Sequence, residues 1–163
     1  MPAVTDMLEL CAHLPEVELA PGDVLIQDGG ASGSIWVLVS GTLEVTKNGS
    51  VVNIIRHPGS SIGEVSVLLG SPFTATVTAT EPTRLRQAVD GKALLASDPA
   101  ISHFVAVGLA ERLDFVTTYL ADLKNQYGNA PGLSMVSDVL TRLAQRQGPP
   151  ARPGSVREPD PEY

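Results

Sequence analysis

A sandwich or barrel of short strands with flanking helices, a mainly β fold, is the class this sequence predicts. Three observations carry it. Turn signals recur between residues 16 and 89: Pro21-Gly22-Asp23, Gly29-Gly30, Ser40-Gly41, Asn48-Gly49, Pro58-Gly59, Gly70-Ser71-Pro72 and Glu81-Pro82. Their spacing, roughly 8 to 12 residues, is that of short strands joined by tight turns. Thr74, Thr76 and Thr78 alternate with Ala75, Val77 and Ala79, the period of two of a strand with one buried face. Beyond Pro99 the pattern switches to apolar residues three and four apart, the signature of a long helix.

The elements follow in order. Residues 5–14 read as a short amphipathic helix: Thr5 is a suitable N-cap, Leu8, Cys11 and Leu14 form an apolar stripe, and Pro15 ends it. Strands are expected at 17–20, 24–27, 34–39, 42–47, 51–57, 74–80 and 84–89. Asn48-Gly49 is the strongest hairpin signal, because a type I′ turn needs positive φ at both central residues. Trp36, the single tryptophan, reads as core or rim packing. Residues 90–98 form another helix capped by Asp90, and Pro99 starts a long one reaching about Tyr127. In it Ala106, Leu109, Leu113, Val116, Leu120, Leu123 and Tyr127 make a heptad seam. The seam suits packing on the helix's own domain or a homodimer, and a second apolar face (Ile101, Phe104, Val105, Gly108, Phe115, Tyr119) accommodates both. Gly128 is the expected stop. Residues 133–147 are amphipathic, with Val136, Val139, Leu140 and Leu143 on one face. The Pro-rich tail, 148–163, has almost nothing to bury and is expected to be disordered.

Composition bounds the function. The chain has 163 residues, 43% hydrophobic and 18% charged, enough for one domain with a sizeable core. A net charge of −7, with 11 scattered Lys and Arg, argues against direct nucleic-acid binding. The lone Cys11 forms no internal disulfide and no Cys/His spacing suits zinc, so no metal or other cofactor is expected. His13, His57 and His103 are dispersed and no nucleophile–base arrangement emerges, so the expectation is a protein that is not an enzyme. With no signal-peptide pattern and no apolar run of about 18 residues, a cytoplasmic protein without a membrane span is expected.

Residues 61–79, SIGEVSVLLGSPFTATVTA, concentrate three local structures. Gly63-Glu64 opens a short apolar helix, Gly70-Ser71-Pro72 stops it, and a strand follows. A helix N-terminus opened by glycine and followed by a tight turn is a plausible anion cradle, because unpaired N–H groups and the helix dipole converge there.

This stretch resembles the phosphate-binding cassette of the cyclic nucleotide-binding domain family, found in bacterial catabolite-activator-type regulators and protein kinase A regulatory subunits. The family's pattern is Gly-Glu…Pro-Arg-Thr/Ser-Ala, and here Gly63-Glu64…Leu68…Pro72-Phe73-Thr74-Ala75 stands in its place. The Pro21-Gly22-Asp23 turn, the strand entering Ser40-Gly41, Pro58-Gly59 and Asp98-Pro99 before the long helix fit as well; the resemblance covers roughly residues 7 to 127. It implies a double-stranded β-helix, or jelly-roll-like sandwich, followed by a long C-terminal helix (about 99–127). On that view residues 1–127 form the domain, 128–147 a linker with a short amphipathic helix, and 148–163 the tail.

The resemblance also implies a non-enzymatic, regulatory module whose candidate ligand is a cyclic nucleotide, cyclic AMP or cyclic GMP. Glu64 would accept a hydrogen bond from the ribose 2′-hydroxyl, and Gly63 would bring backbone N–H groups to the cyclic phosphate. Thr74 and the Ala75 N–H, in the turn after Pro72, would donate to phosphate oxygens, while Ile62 and Val65 would supply apolar contact. Thr117 and Thr118 on the long helix would reach the base edge from the same or a neighbouring subunit. Homodimerisation through Leu109, Leu113, Val116, Leu120 and Leu123, or docking of a protein partner, would transmit occupancy.

Phe73 departs from the pattern, which has arginine there. Losing a charge-assisted hydrogen bond costs about 1.5–3 kcal/mol, or roughly 10- to 150-fold in affinity. Arg56, Arg84 and Arg86 are alternative cations that the spacing does not rank. Binding is therefore expected to be weakened or altered. The alternative is an interaction module that keeps the fold without the nucleotide. A third reading, part of a transcriptional regulator without its own DNA-binding domain, follows from the 36 residues after Tyr127 holding a single helix.

Overall fold

The structure is a computed structural model that describes residues 6–127 and 134–145. The described residues divide into two compact units, one up to Ala110 and one from Glu111.

The first unit opens with α1 (Met7–Leu10), one turn long and shorter than the expected 5–14. Its cap is Asp6, whose carboxylate accepts the Glu9 N–H at 2.9 Å; Thr5 lies outside the described residues. An acceptor one residue nearer the helix does the capping, and residues 11–14 leave the helix as tight turns. Eight strands follow: β1 (Glu16–Leu19), β2 (Val24–Ile26), β3 (Ile35–Ser40), β4 (Leu43–Lys47), β5 (Ser50–Ile55), β6 (Ser61–Ile62), β7 (Thr76–Ala79) and β8 (Thr83–Ala88). They form two antiparallel four-stranded sheets, ordered β1-β8-β3-β6 and β2-β7-β4-β5. This is the expected sandwich. Strand β6 was not anticipated, since two residues carry no period.

Strand β3 explains the layering. Its run Ile35-Trp36-Val37-Leu38 is buried throughout, so no polar alternation marks it. Trp36 and Leu38 face the interior between the sheets, with Ile26, Leu43, Ile62, Phe73, Val77, Ala79 and Leu85. Ile35 and Val37 face the other way, into a second cluster with Met7, Cys11, Val67, Ala88, Leu94, Ile101 and Val105. A strand covered on both faces reads as a continuous apolar run.

The β4–β5 hairpin turns at Asn48-Gly49, with φ of 52° and 79°, the two positive values a type I′ turn requires. Short α2 (Glu64–Leu69) packs between β6 and β7 in sequence and ends at Gly70, where the Ser71 N–H reaches back to the Ser66 carbonyl at 3.1 Å. Helix α3 (Gly91–Ser97) is capped by Asp90, which accepts the Ala93 N–H at 3.0 Å. Helix α4 (Pro99–Tyr127) begins at the expected proline, and Asp98, extended as a residue before proline must be, accepts the Ala100 N–H at 2.8 Å. Ile101 and Val105 seal this end of α4 into the first unit.

The second unit contains the rest of α4 and α5 (Ser134–Gln145). On α4, Thr117, Leu120, Ala121 and Leu123 are half-buried; on α5, Val136, Leu140 and Leu143 are, whereas Val139 is exposed. The expected helix stop at Gly128, the linker from 128 to 133 and the tail fall outside the described residues. No single described helix is long and apolar enough to cross a membrane.

Candidate functional site

Gly63 anchors the cassette. Its φ of 88° is a left-handed value, and a Cβ there would lie 2.7 Å from the Ser34 carbonyl oxygen and 3.2 Å from the Trp36 ring. Glycine is required twice over, by conformation and by space. From this turn α2 begins at once, so Glu64 occupies its first turn, where a carboxylate is favoured by the exposed N–H groups and the dipole. Only 3% of Glu64 is exposed, the deepest burial of any charged side chain among the described residues.

Phe73 is the second anchor. It is buried in the inter-sheet cluster with Ile62, its ring 6.2 Å from that of Trp36 at 39°. Trp36 thus touches the cassette from beneath at both ends, under Gly63 and against Phe73, in the packing role expected of it. The backbone at Phe73 is held by the Gly29-Gly30 turn: the Gly29 N–H donates to the Phe73 carbonyl at 2.7 Å, and the Phe73 N–H donates to the Gly30 carbonyl at 3.0 Å. Ser66 and Ser32 complete the brace, their hydroxyls donating to the Pro72 and Ser71 carbonyls. The sequence reading took Gly29-Gly30 only as a turn and did not single out Ser32 or Ser66. Small polar residues that bond backbone carbonyls across the chain leave no periodic trace.

Pro72 and Thr74 are exposed and Ala75 is half-buried, all preceding β7. Val65 points outward at 37% exposure, and Ile62 lies inside the interior cluster at 3%. Thr117, half-buried, and Thr118, exposed, belong to the second unit. Of the seam residues, Leu109, Leu120 and Leu123 are half-buried, whereas Leu113 and Val116 are 55% and 47% exposed.

The alternative cations can be placed. Arg84 and Arg86 alternate on β8 with the buried Leu85, so they project from the face opposite the inter-sheet cluster. There Arg84 Nη2 donates to Glu16 Oε2 at 3.0 Å, and Arg86 Nη1 donates to the Leu14 carbonyl at 3.0 Å. The hydrogen bond from Arg84 holds the Glu16 carboxyl below its ordinary value. Arg56 is exposed just beyond β5. Beside α2 lies a recess of about 420 Å³, lined by Ser32, Gly33, Ser66, Val67, Gly70, Val89, Asp90 and Lys92. Cys11 is fully buried and desolvation raises its thiol pKa, the behaviour of a packing residue. Among the described residues no group of three or more His, Cys, Asp or Glu could hold a metal ion.

Comparison with known proteins agrees with this fold. The family profile described as cyclic nucleotide-binding domain matches residues 16–96. A cAMP-dependent protein kinase regulatory subunit from Yarrowia lipolytica is 36% identical over 69 residues, 42% of this chain and 18% of that protein. A cAMP-binding acyltransferase from Mycobacterium smegmatis is similar in structure with a TM-score of 0.55 and 29% identity, over 66% of this chain and 35% of that one. The N-terminal domain of a transcriptional regulator from Streptomyces coelicolor A3(2) superposes with a TM-score of 0.51 and 27% identity, over 70% of this chain and 87% of that domain. The chain spans well under two thirds of the length of the kinase subunit and of the acyltransferase.

Proposed function

The chain belongs, through residues 16–96, to the cyclic nucleotide-binding domain family, and from that premise we propose that it is a regulatory module whose cassette takes a cyclic nucleotide weakly. The observation that carries this reading is the Gly63–Glu64 turn: a left-handed glycine seated on Trp36, followed by a buried carboxylate in the first helical turn. In this reading Glu64 accepts the ribose 2′-hydroxyl, and N–H groups at the start of α2 and at Ala75, with the Thr74 hydroxyl, receive the cyclic phosphate. Phe73 stands where the family pattern has arginine, and of the alternative cations Arg84 and Arg86 project from the face of β8 opposite the inter-sheet cluster, which supports a phosphate met without them. A site otherwise micromolar weakens to about 0.1 mM or beyond. Calorimetry and thermal melts with cyclic AMP and cyclic GMP test this. Heat, and a melting temperature that climbs only as ligand passes that concentration, is expected. No heat and no shift at millimolar nucleotide sinks the reading.

Burial of the Phe73 ring favours a second reading, in which the inter-sheet space is filled by the protein itself and the fold serves as an interaction module. Under either reading α4 joins two copies of the chain or docks a protein partner. Leu113 and Val116, with Phe115 and Tyr119, leave it an exposed apolar surface.

A further inference from the structure

The turn that leads from α2 into β7 is tied down by hydrogen bonds on both sides of Thr74 and Ala75. The Ser71 N–H donates to the Ser66 carbonyl at 3.1 Å, and the Ser66 hydroxyl donates to the Pro72 carbonyl at 3.4 Å. Phe73 makes both of its backbone bonds with the Gly29-Gly30 turn. On the far side the Thr76 hydroxyl accepts the Asp28 N–H at 3.1 Å. Thr74 and Ala75, between these fixed points, make no hydrogen bond to another described residue. Their N–H groups and the Thr74 hydroxyl are donors on a constrained backbone, without an acceptor of their own.

Most of these ties come from residues 27–32, the end of β2 and the segment that follows it, and so from outside residues 61–79. Two side chains of that segment reach the turn. Gln27 Nε2 lies 3.5 Å from the Thr76 hydroxyl in an exposed setting, at the limit of a hydrogen bond. The Ser32 hydroxyl donates to the Ser71 carbonyl at 2.5 Å in a part-buried one. Ser32 is therefore the firm side-chain tie, and it holds the turn just before the residues whose donors are left over. Donors already held in place cost an incoming ligand less than donors that must be ordered as it binds.

We propose that Ser32 is a positioning residue of the cassette: its hydroxyl fixes the backbone before Phe73 and so presents the Thr74 and Ala75 donors to the cyclic phosphate. The proposal rests on the reading that the cassette takes a cyclic nucleotide, and it assigns part of the order of that site to the segment between β2 and β3.

Titration of the whole chain with cyclic AMP, followed in amide spectra so that millimolar binding is measured, tests it. Ser32→Ala is expected to weaken binding about two- to tenfold, the worth of one neutral hydrogen bond. Ser32→Thr keeps the hydroxyl and should restore the native affinity. Before any ligand is added, the Phe73 N–H should exchange with solvent faster in Ser32→Ala than in the native chain. Ser97→Ala, which removes a hydroxyl-to-carbonyl bond of 2.6 Å to Leu94 in α3, controls for stability. It should lower the melting temperature and leave the affinity unchanged. Native affinity in Ser32→Ala, an equal loss in Ser97→Ala, or a loss that threonine fails to restore would each overturn the role of Ser32 and leave the cassette reading standing. A native chain that ignores millimolar cyclic AMP would overturn both.

Discussion

Trp36 and Phe73 meet with ring centroids 6.2 Å apart and planes 39° from each other, inside the cluster between the two sheets. The contact ties the middle of β3 to the residue standing where the family's cassette carries arginine. Packing and ligand chemistry therefore compete at one position. An aromatic ring there adds apolar burial with Trp36 and Ile62, and on the proposed reading it offers a bound phosphate no charge.

Phe73→Arg reads that competition from both sides. Losing the buried ring and burying a guanidinium should lower the stability of the ligand-free protein by roughly 3–5 kcal/mol. If a cyclic nucleotide binds as proposed, the same guanidinium would add a charge-assisted bond to its phosphate, worth about 10- to 150-fold in affinity. Thermal melts of the variant should therefore start lower and rise further with cyclic AMP than those of the native chain. Equal ligand-induced shifts in the two proteins would mean that position 73 does not face the phosphate.

Two glycines bound α2, and they should respond differently to alanine. At Gly63 a Cβ meets the Ser34 carbonyl oxygen at 2.7 Å as well as an unfavourable φ of 88°. At Gly70 φ is 63° and nothing lies within 4 Å. Gly70→Ala should cost about 1 kcal/mol, the left-handed penalty alone, and Gly63→Ala at least about 2 kcal/mol. Denaturant midpoints measure both, and equal costs would show that Ser34 and Trp36 give way freely.

The turns were the most legible part of this sequence, because Asn48-Gly49 and Gly70-Ser71-Pro72 restrict backbone geometry by covalent structure alone. Helix α4 was legible at its start for the same reason: Asp98-Pro99 sets both an extended residue and a first helical position. The Gly63–Glu64 turn could be named from its letters, but its seat on Trp36 could not, since a contact spanning 27 residues has no local pattern. The faces of α4 beyond Ala110 were read less well. A seam of threes and fours runs through Leu113, Val116 and Leu120 on one side, yet burial in the second unit divides those residues between covered and exposed positions. Periodicity marks that a face is apolar and leaves open which neighbour covers it.

Acid should expose the Glu16–Arg84 pair. The Glu16 carboxyl is held below its ordinary value, first by the hydrogen bond from Arg84 and then by the charges of Arg84 and Arg86. A carboxyl depressed in the folded state contributes stability that is present above its unfolded value. That contribution is lost as pH falls from there through the lower folded value. Glu16→Gln removes the titration, so the loss of stability between about pH 5 and pH 3 should be shallower in the variant. The pair is solvent-exposed, so the difference should shrink at high salt. Identical pH profiles for the two proteins would mean that the pair contributes nothing.

Glu64→Gln tests the cassette at its best-placed residue. The amide keeps the volume of the carboxylate at a position only 3% exposed, so the side chain's packing is preserved. It gives up a charge that the first turn of α2 favours, which should cost the ligand-free protein about 1 kcal/mol. If Glu64 accepts the ribose 2′-hydroxyl, the variant should also lose about tenfold in affinity for cyclic AMP, because a charged acceptor is roughly twice as strong as a neutral one. A deoxyribose cyclic nucleotide, which lacks that hydroxyl, separates the two effects. It should bind the native chain and the variant equally, and a native preference that persists with the deoxy ligand would assign Glu64 to the structure of the turn alone.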